Sequence, residues 1–141
     1  MRILFGENVV LNVLLKREPW RAEARELWDA AAVDTIEGYL APTTITTIYY
    51  LARKLPGGAE PARHAVQACL DTLEICPMDR RTLEAALAKS GGDYENNVQI
   101  VCAEVAQLDG IVTRNVPDFT AASCTVYTPA ELLAAIQPPA T

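Results

Sequence analysis

Carboxylates, amides and hydroxyls crowd three short stretches of this chain: Glu7-Asn8, Asp93-Tyr94-Glu95-Asn96, and Thr113-Arg114-Asn115-Val116-Pro117-Asp118. A fourth stretch, Thr43 to Thr47, is dense in threonine. Oxygen donors with no histidine or thiolate beside them suit Mg²⁺ or Mn²⁺, and at a carboxylate cluster such an ion typically activates a water and clamps a phosphate. The chemistry on offer is phosphodiester hydrolysis. No P-loop, dinucleotide-binding glycine turn or nucleophile elbow competes with it.

The elements that must carry these groups can be read from the apolar pattern. Arg2 to Phe5 is a strand-like run, Gly6 breaks it, and Asn8 opens a longer run, Val9 to Leu15, that fits a buried helix. Arg17, Arg21 and Arg25 recur at four-residue spacing opposite Ala22, Leu27, Trp28 and Ala31, which reads as one amphipathic helix. Its arginines form either a solvated face salted by Glu18, Glu23 and Glu26 or a stripe facing phosphate or a partner. Gly38 to Ala41 is a second strand ended by Pro42. A helix from Thr43 follows, capped by Thr43 or Thr44, with Thr46 and Thr47 placed to face a cleft.

Farther on, Ala59 to Asp71 and Arg80 to Lys89 read as helices on either side of a third strand, Leu73 to Cys76, with Asp79 as the N-cap of the second. Asp93 caps the most regular helix, whose Val98, Val101, Val105 and Leu108 recur at helical spacing. Gly110 to Val112 and Thr125 to Tyr127 are the last strands, and Thr128-Pro129-Ala130-Glu131 is a capping box. Strands separated by helices throughout imply an α/β fold with a five-stranded parallel sheet flanked by helices. A cleft at the strand ends would then collect Glu7, Asn8, Thr43 to Thr47, Thr113, Asn115 and Asp118, with Asp93 and Glu95 beside them.

Composition narrows the class. A chain of 141 residues at 50% apolar composition is one domain, expected over residues 1–136, with 137–141 as a flexible tail. No segment reaches the roughly eighteen apolar residues of a membrane span, nor does the start have a signal-peptide layout, so the expected compartment is the cytoplasm. His64 is the only histidine, and Cys69, Cys76, Cys102 and Cys124 form no CxxC pair. They read as free buried thiols rather than a zinc site. A net charge of −6 argues against a broad basic surface for nucleic acid, though not against a small site with its own metal ions.

The blocks ILFGENVVLNVLLKREPW, APTTITTIYYLARK, GDYENNVQI, DGIVTRNVPDF and VYTPAELL, in this order, make the chain resemble the PIN-domain family, in particular the bacterial VapC-like toxins. The resemblance implies a metal-dependent ribonuclease, usually dimeric and often silenced by a small antitoxin. It also marks departures. Family members usually read Asp-Thr-Asn or Asp-Ser-Asn where this chain has Gly6-Glu7-Asn8. A family glutamate falls at Thr47, and Asn96 stands where GDxED has its second acid.

What remains by resemblance for catalysis and metal binding is Asp118 and Glu95, with Asp93 nearby. Glu7, one residue on and one methylene longer, is the candidate replacement for the missing aspartate. Mg²⁺ dehydrates reluctantly and is usually anchored by one or two carboxylates, so Mg²⁺ or Mn²⁺ should bind weakly or not at all. The expected function is a toxin-type ribonuclease with activity weakened or lost. The alternative is a non-catalytic PIN-like module binding RNA or a protein partner, again as a homodimer. Gly6→Asp and Asn96→Asp should restore ligands without backbone movement.

Overall fold

A computed structural model of the protein describes residues 1–137; the last four residues of the expected tail lie outside the described residues. Five strands, β1 (Arg2–Phe5), β2 (Glu37–Leu40), β3 (Glu74–Ile75), β4 (Gly110–Val112) and β5 (Thr125–Tyr127), form one sheet in the order β3-β2-β1-β4-β5. Every pairing is parallel. Parallel neighbours require crossovers, and six α-helices supply the first three: α1 (Glu7–Leu14), α2 (Arg21–Ala32), α3 (Pro42–Ala52), α4 (Ala59–Thr72), α5 (Arg80–Ala88) and α6 (Tyr94–Val105); a 3-10 turn lies in the β4–β5 crossover, and α7 (Pro129–Ile136) follows β5.

The central position of β1 follows from its side chains. Ile3, Leu4 and Phe5 have no solvent exposure, which only a strand covered on both faces allows. Because side chains alternate along a strand, Ile3 and Phe5 join the core beneath α1, α2, α4 and α7, whereas Leu4 joins the one beneath α5 and α6. Burying side chains of this size contributes about 1.5–3 kcal/mol each. α6 is covered almost all round: Asn97 through Ala103 are all buried. Among the described residues, no helix is long and apolar enough to cross a membrane.

Local differences from the sequence reading have physical causes. α1 begins at Glu7 rather than Asn8, because Gly6 already has extended N-cap geometry. Pro19 separates Arg17 from the helix of Arg21 and Arg25, so the three arginines do not share one helix. Pro42 does not merely end β2; it is the first residue of α3, and Ala41 takes the cap position expected of Thr43 or Thr44. Asp79 and Thr128 cap α5 and α7 in reciprocal boxes with Thr82 and Glu131.

Candidate functional site

β1 and β4 end side by side, Phe5 opposite Val112, and the Gly6 N–H continues the ladder by donating to the Val112 carbonyl at 2.8 Å. The chain then turns directly into α1, bringing Glu7 and Asn8 to the C-terminal edge of the sheet. α6 starts beside them. The Asp93 Oδ1 accepts from the Glu95 and Asn96 amides at 2.8 and 3.2 Å, and Asn97 turns away from the cleft to donate to the Gly91 carbonyl at 3.2 Å. The third wall leaves β4. Buried Thr113 accepts from the Asn115 amide through Oγ1 at 3.1 Å, and the Asp118 amide closes a 3-10 turn, Val116–Phe119, on the Asn115 carbonyl at 2.9 Å.

These walls enclose a cavity of about 180 Å³ lined by Glu7 and Asn8; Asp93, Glu95, Asn96 and Gln99; and Thr113, Asn115, Asp118 and Phe119. Sequence reasoning missed Gln99, which lies inside a run read simply as packed. Its signal was spacing: three residues after Asn96 and four after Glu95, it shares their helix face. Gln99 is 3% exposed, and its Oε1 has no hydrogen-bond partner.

The threonines of α3 do not join this cavity. Thr46 and Thr47 donate through their hydroxyls to the Thr43 carbonyl at 2.9 and 3.2 Å, and Thr44 is buried. Back-bonding to the preceding turn occupies the polar groups that would otherwise reach a cleft. Gly6, between β1 and the cavity-lining Glu7, packs its backbone closely against Val112 and Thr113. A Cβ there would sit 2.9 Å from the Val112 carbonyl oxygen and 3.3 Å from the Thr113 Cβ. The φ of −63° is ordinary, so close approach rather than conformation favours glycine. Adding a side chain at this position requires β1 or β4 to shift, contrary to the expectation from the sequence.

Charge in the cavity is one-sided. Desolvation, followed by the neighbouring carboxylates of Glu95 and Asp93, raises the Glu7 carboxyl above its ordinary range, while Arg17 opposes the rise. The acids share a cavity without forming a coordination sphere: among the described residues, no three His, Cys, Asp or Glu side chains are grouped to hold a metal ion. One oxygen of Asp93 is committed to the helix cap, and Asn96 contributes no charge. Burial pushes the Cys69 and Cys76 thiols up to about 12 and Cys102 to about 11, so thiolates do not substitute. A resident Mg²⁺ or Mn²⁺ ion needs its carboxylate anchors drawn around one point to offset its lost water, and these four acids, though they line one cavity, are not grouped in that way.

A sheet of order 3-2-1-4-5 with an acidic notch at its C-terminal edge defines the class, and the comparisons agree. The PIN-domain family model matches residues 2–117, and the chain belongs to that family. Among solved structures, FitAB bound to an IR36 DNA fragment matches at 15% identity and a TM-score of 0.65, over 90% of this chain and 94% of its own. FitAcB from Neisseria gonorrhoeae matches at 14% identity and 0.66, over 91% and 98% respectively. VapBC2 from Rickettsia felis, bound to a DNA fragment from its promoter, matches at 13% and 0.65, over 90% and 99%. At such identities the likeness is one of fold. No curated protein sequence matches the chain.

Proposed function

We propose that this protein is a PIN domain of the toxin type, descended from metal-dependent ribonucleases, in which RNA hydrolysis is weakened or lost. The observation that carries this reading is the cavity itself. Glu7, Asp93, Glu95 and Asp118 line it, yet no three acids make a metal-holding group, and close packing at Gly6 leaves no room for a side chain there. Without a divalent ion, a notch lined by carboxylates repels a phosphodiester instead of clamping it.

Of the acids that remain, Asp118 and Glu95 are the candidate catalytic and metal-binding groups, with Glu7 as the stand-in for the missing aspartate. Asn8, Thr113 and Asn115 supply neutral oxygens at the rim. Relatives of this fold occur as FitAB and VapBC2 assemblies, which supports pairing with a small antitoxin-type protein. Homodimerisation belongs to the same reading.

The test is cleavage of structured RNA with Mn²⁺ or Mg²⁺ and with EDTA. The unmodified chain is expected to leave RNA intact, and Asn96→Asp to gain EDTA-sensitive cleavage that Asp118→Asn abolishes. Metal-dependent cleavage by the unmodified chain, stopped by Glu7→Gln or Asp118→Asn, overturns the reading and assigns Glu7 the missing role. A second reading, a non-catalytic module, is favoured by the uncompensated charge: a cavity that holds no metal still attracts the cationic side chains of a protein partner.

A further inference from the structure

Beside the acidic cavity, and sharing Asn115 with it, lies a second groove of about 380 Å³ walled by Trp20, Glu23, Arg114 and the start of α7. Its volume falls within the ~300–1,000 Å³ of small-ligand sites. The Arg114 guanidinium lies over the Trp20 ring, 3.8 Å from its centroid, and Trp20 is 43% exposed although the chain's other tryptophan, Trp28, is buried in the core. Arg114 Nε is buried without a hydrogen-bond partner. Arg17 lies on the same α1–α2 connection as Trp20, and its charge acts on both Arg114 and Glu7.

Neither arginine is within ion-pair distance of a carboxylate among the described residues, which is equally true of Arg21, Arg53, Arg63 and Arg81; what distinguishes Arg114 is its place over an exposed indole with a buried, unpartnered Nε. In a chain carrying 18 acids against 12 lysines and arginines, a guanidinium stacked on an exposed indole requires a different account from general surface salting. A stacked indole–guanidinium pair presents flat, polarisable surface, and a second guanidinium provides charge. Nucleobases stack on aromatic rings and arginine planes, and their phosphates seek such cations. Glu23 and Asn115 add acceptors suited to exocyclic amines and ring N–H groups.

We propose that the groove between Trp20, Arg114 and the start of α7 binds one nucleotide of a single-stranded nucleic acid, its base against the Trp20–Arg114 stack and its phosphate toward Arg17. The site lies outside the acidic cavity and needs no metal. It therefore stands or falls separately from the loss of hydrolysis.

The experiment is fluorescence anisotropy of a fluorescein-labelled oligoribonucleotide of about eight residues, and of the matching DNA, in EDTA and low salt. Binding of either is expected. Trp20→Ala and Arg114→Ala should each weaken it about tenfold or more, since a stacked base contributes ~1–3 kcal/mol. Arg17→Gln should flatten the log–log salt dependence by about 0.7. The near-UV circular dichroism of Trp28 and an unchanged melting temperature certify that each variant is folded. RNA binding without DNA binding supports the site and identifies the sugar it accepts. Undetectable binding of both oligonucleotides by the unmodified chain overturns the proposal. So does binding that folded Trp20→Ala leaves intact, as expected if this patch instead seats a protein partner.

Discussion

Glu7 is where the cavity's cost can be measured. Its folded pKa is raised, so protonation favours the folded state: the stabilising contribution is fully present below the ordinary value of 4.5 and is lost as pH rises through the folded value. Glu7→Gln should therefore gain stability relative to the unmodified chain as pH rises through that window, as read from paired melting curves. The carboxylate also sits in the first turn of α1, where its charge is favourable by about 0.3–1 kcal/mol; that contribution appears only as Glu7 ionises, so it offsets part of the gain in the same pH window. Gly6→Asp and Asn96→Asp should behave differently from each other. The first forces a Cβ against the Val112 carbonyl and should cost about 1–3 kcal/mol in urea denaturation, with or without metal. The second places a carboxylate at a half-buried position of the cavity, and should lower the melting temperature in EDTA but raise it with Mn²⁺.

At the scale of elements, the start of α6 is held from behind. Asn97 is 4% exposed and donates to the Gly91 carbonyl, fixing the turn that presents Asp93 and Glu95. Asn97→Ala should cost about 1–3 kcal/mol in chemical denaturation, because it removes a buried hydrogen bond. Much of this architecture was legible beforehand. β4, β5 and the caps at Asp79, Asp93 and Thr128 announce themselves through apolar runs bounded by capping residues. Three features were not. The four-residue spacing of the arginines continues across Pro19 as though the helix did, and composition does not show whether a proline ends one element or begins the next, as at Pro42. Nor does sequence reveal that Thr47 spends its hydroxyl on Thr43. The cavity's acids were found because each sits at an element boundary. Gln99 was not found, because it lies within the stretch of α6, Asn97 to Ala103, that is buried throughout.

Over the whole molecule, exposed apolar side chains bear on assembly. Tyr50 is 61% exposed and Leu55 43%, at the end of α3 and just beyond it, and Lys54 lies over the Tyr50 ring at 4.2 Å. Apolar surface of this kind suits burial by a second copy, as the homodimer proposal requires. Light scattering at micromolar concentration should give twice the chain mass, and Tyr50→Glu should shift the population towards monomer. A strict monomer in the unmodified protein would remove the dimer from the reading. The two sides of the acidic cavity also differ in how they are supported. One is the first turns of α6, backed by seven consecutive buried residues, while the other is a four-residue 3-10 turn with exposed Asn115 and Asp118. Amide hydrogen exchange should therefore be slow from Val98 to Ala103 and fast from Asn115 to Asp118, and any ligand entering the cavity should register mainly as new protection on the second segment. Such a vice has one fixed jaw and one sliding jaw, and ligand size would be accommodated by the turn that carries Asp118.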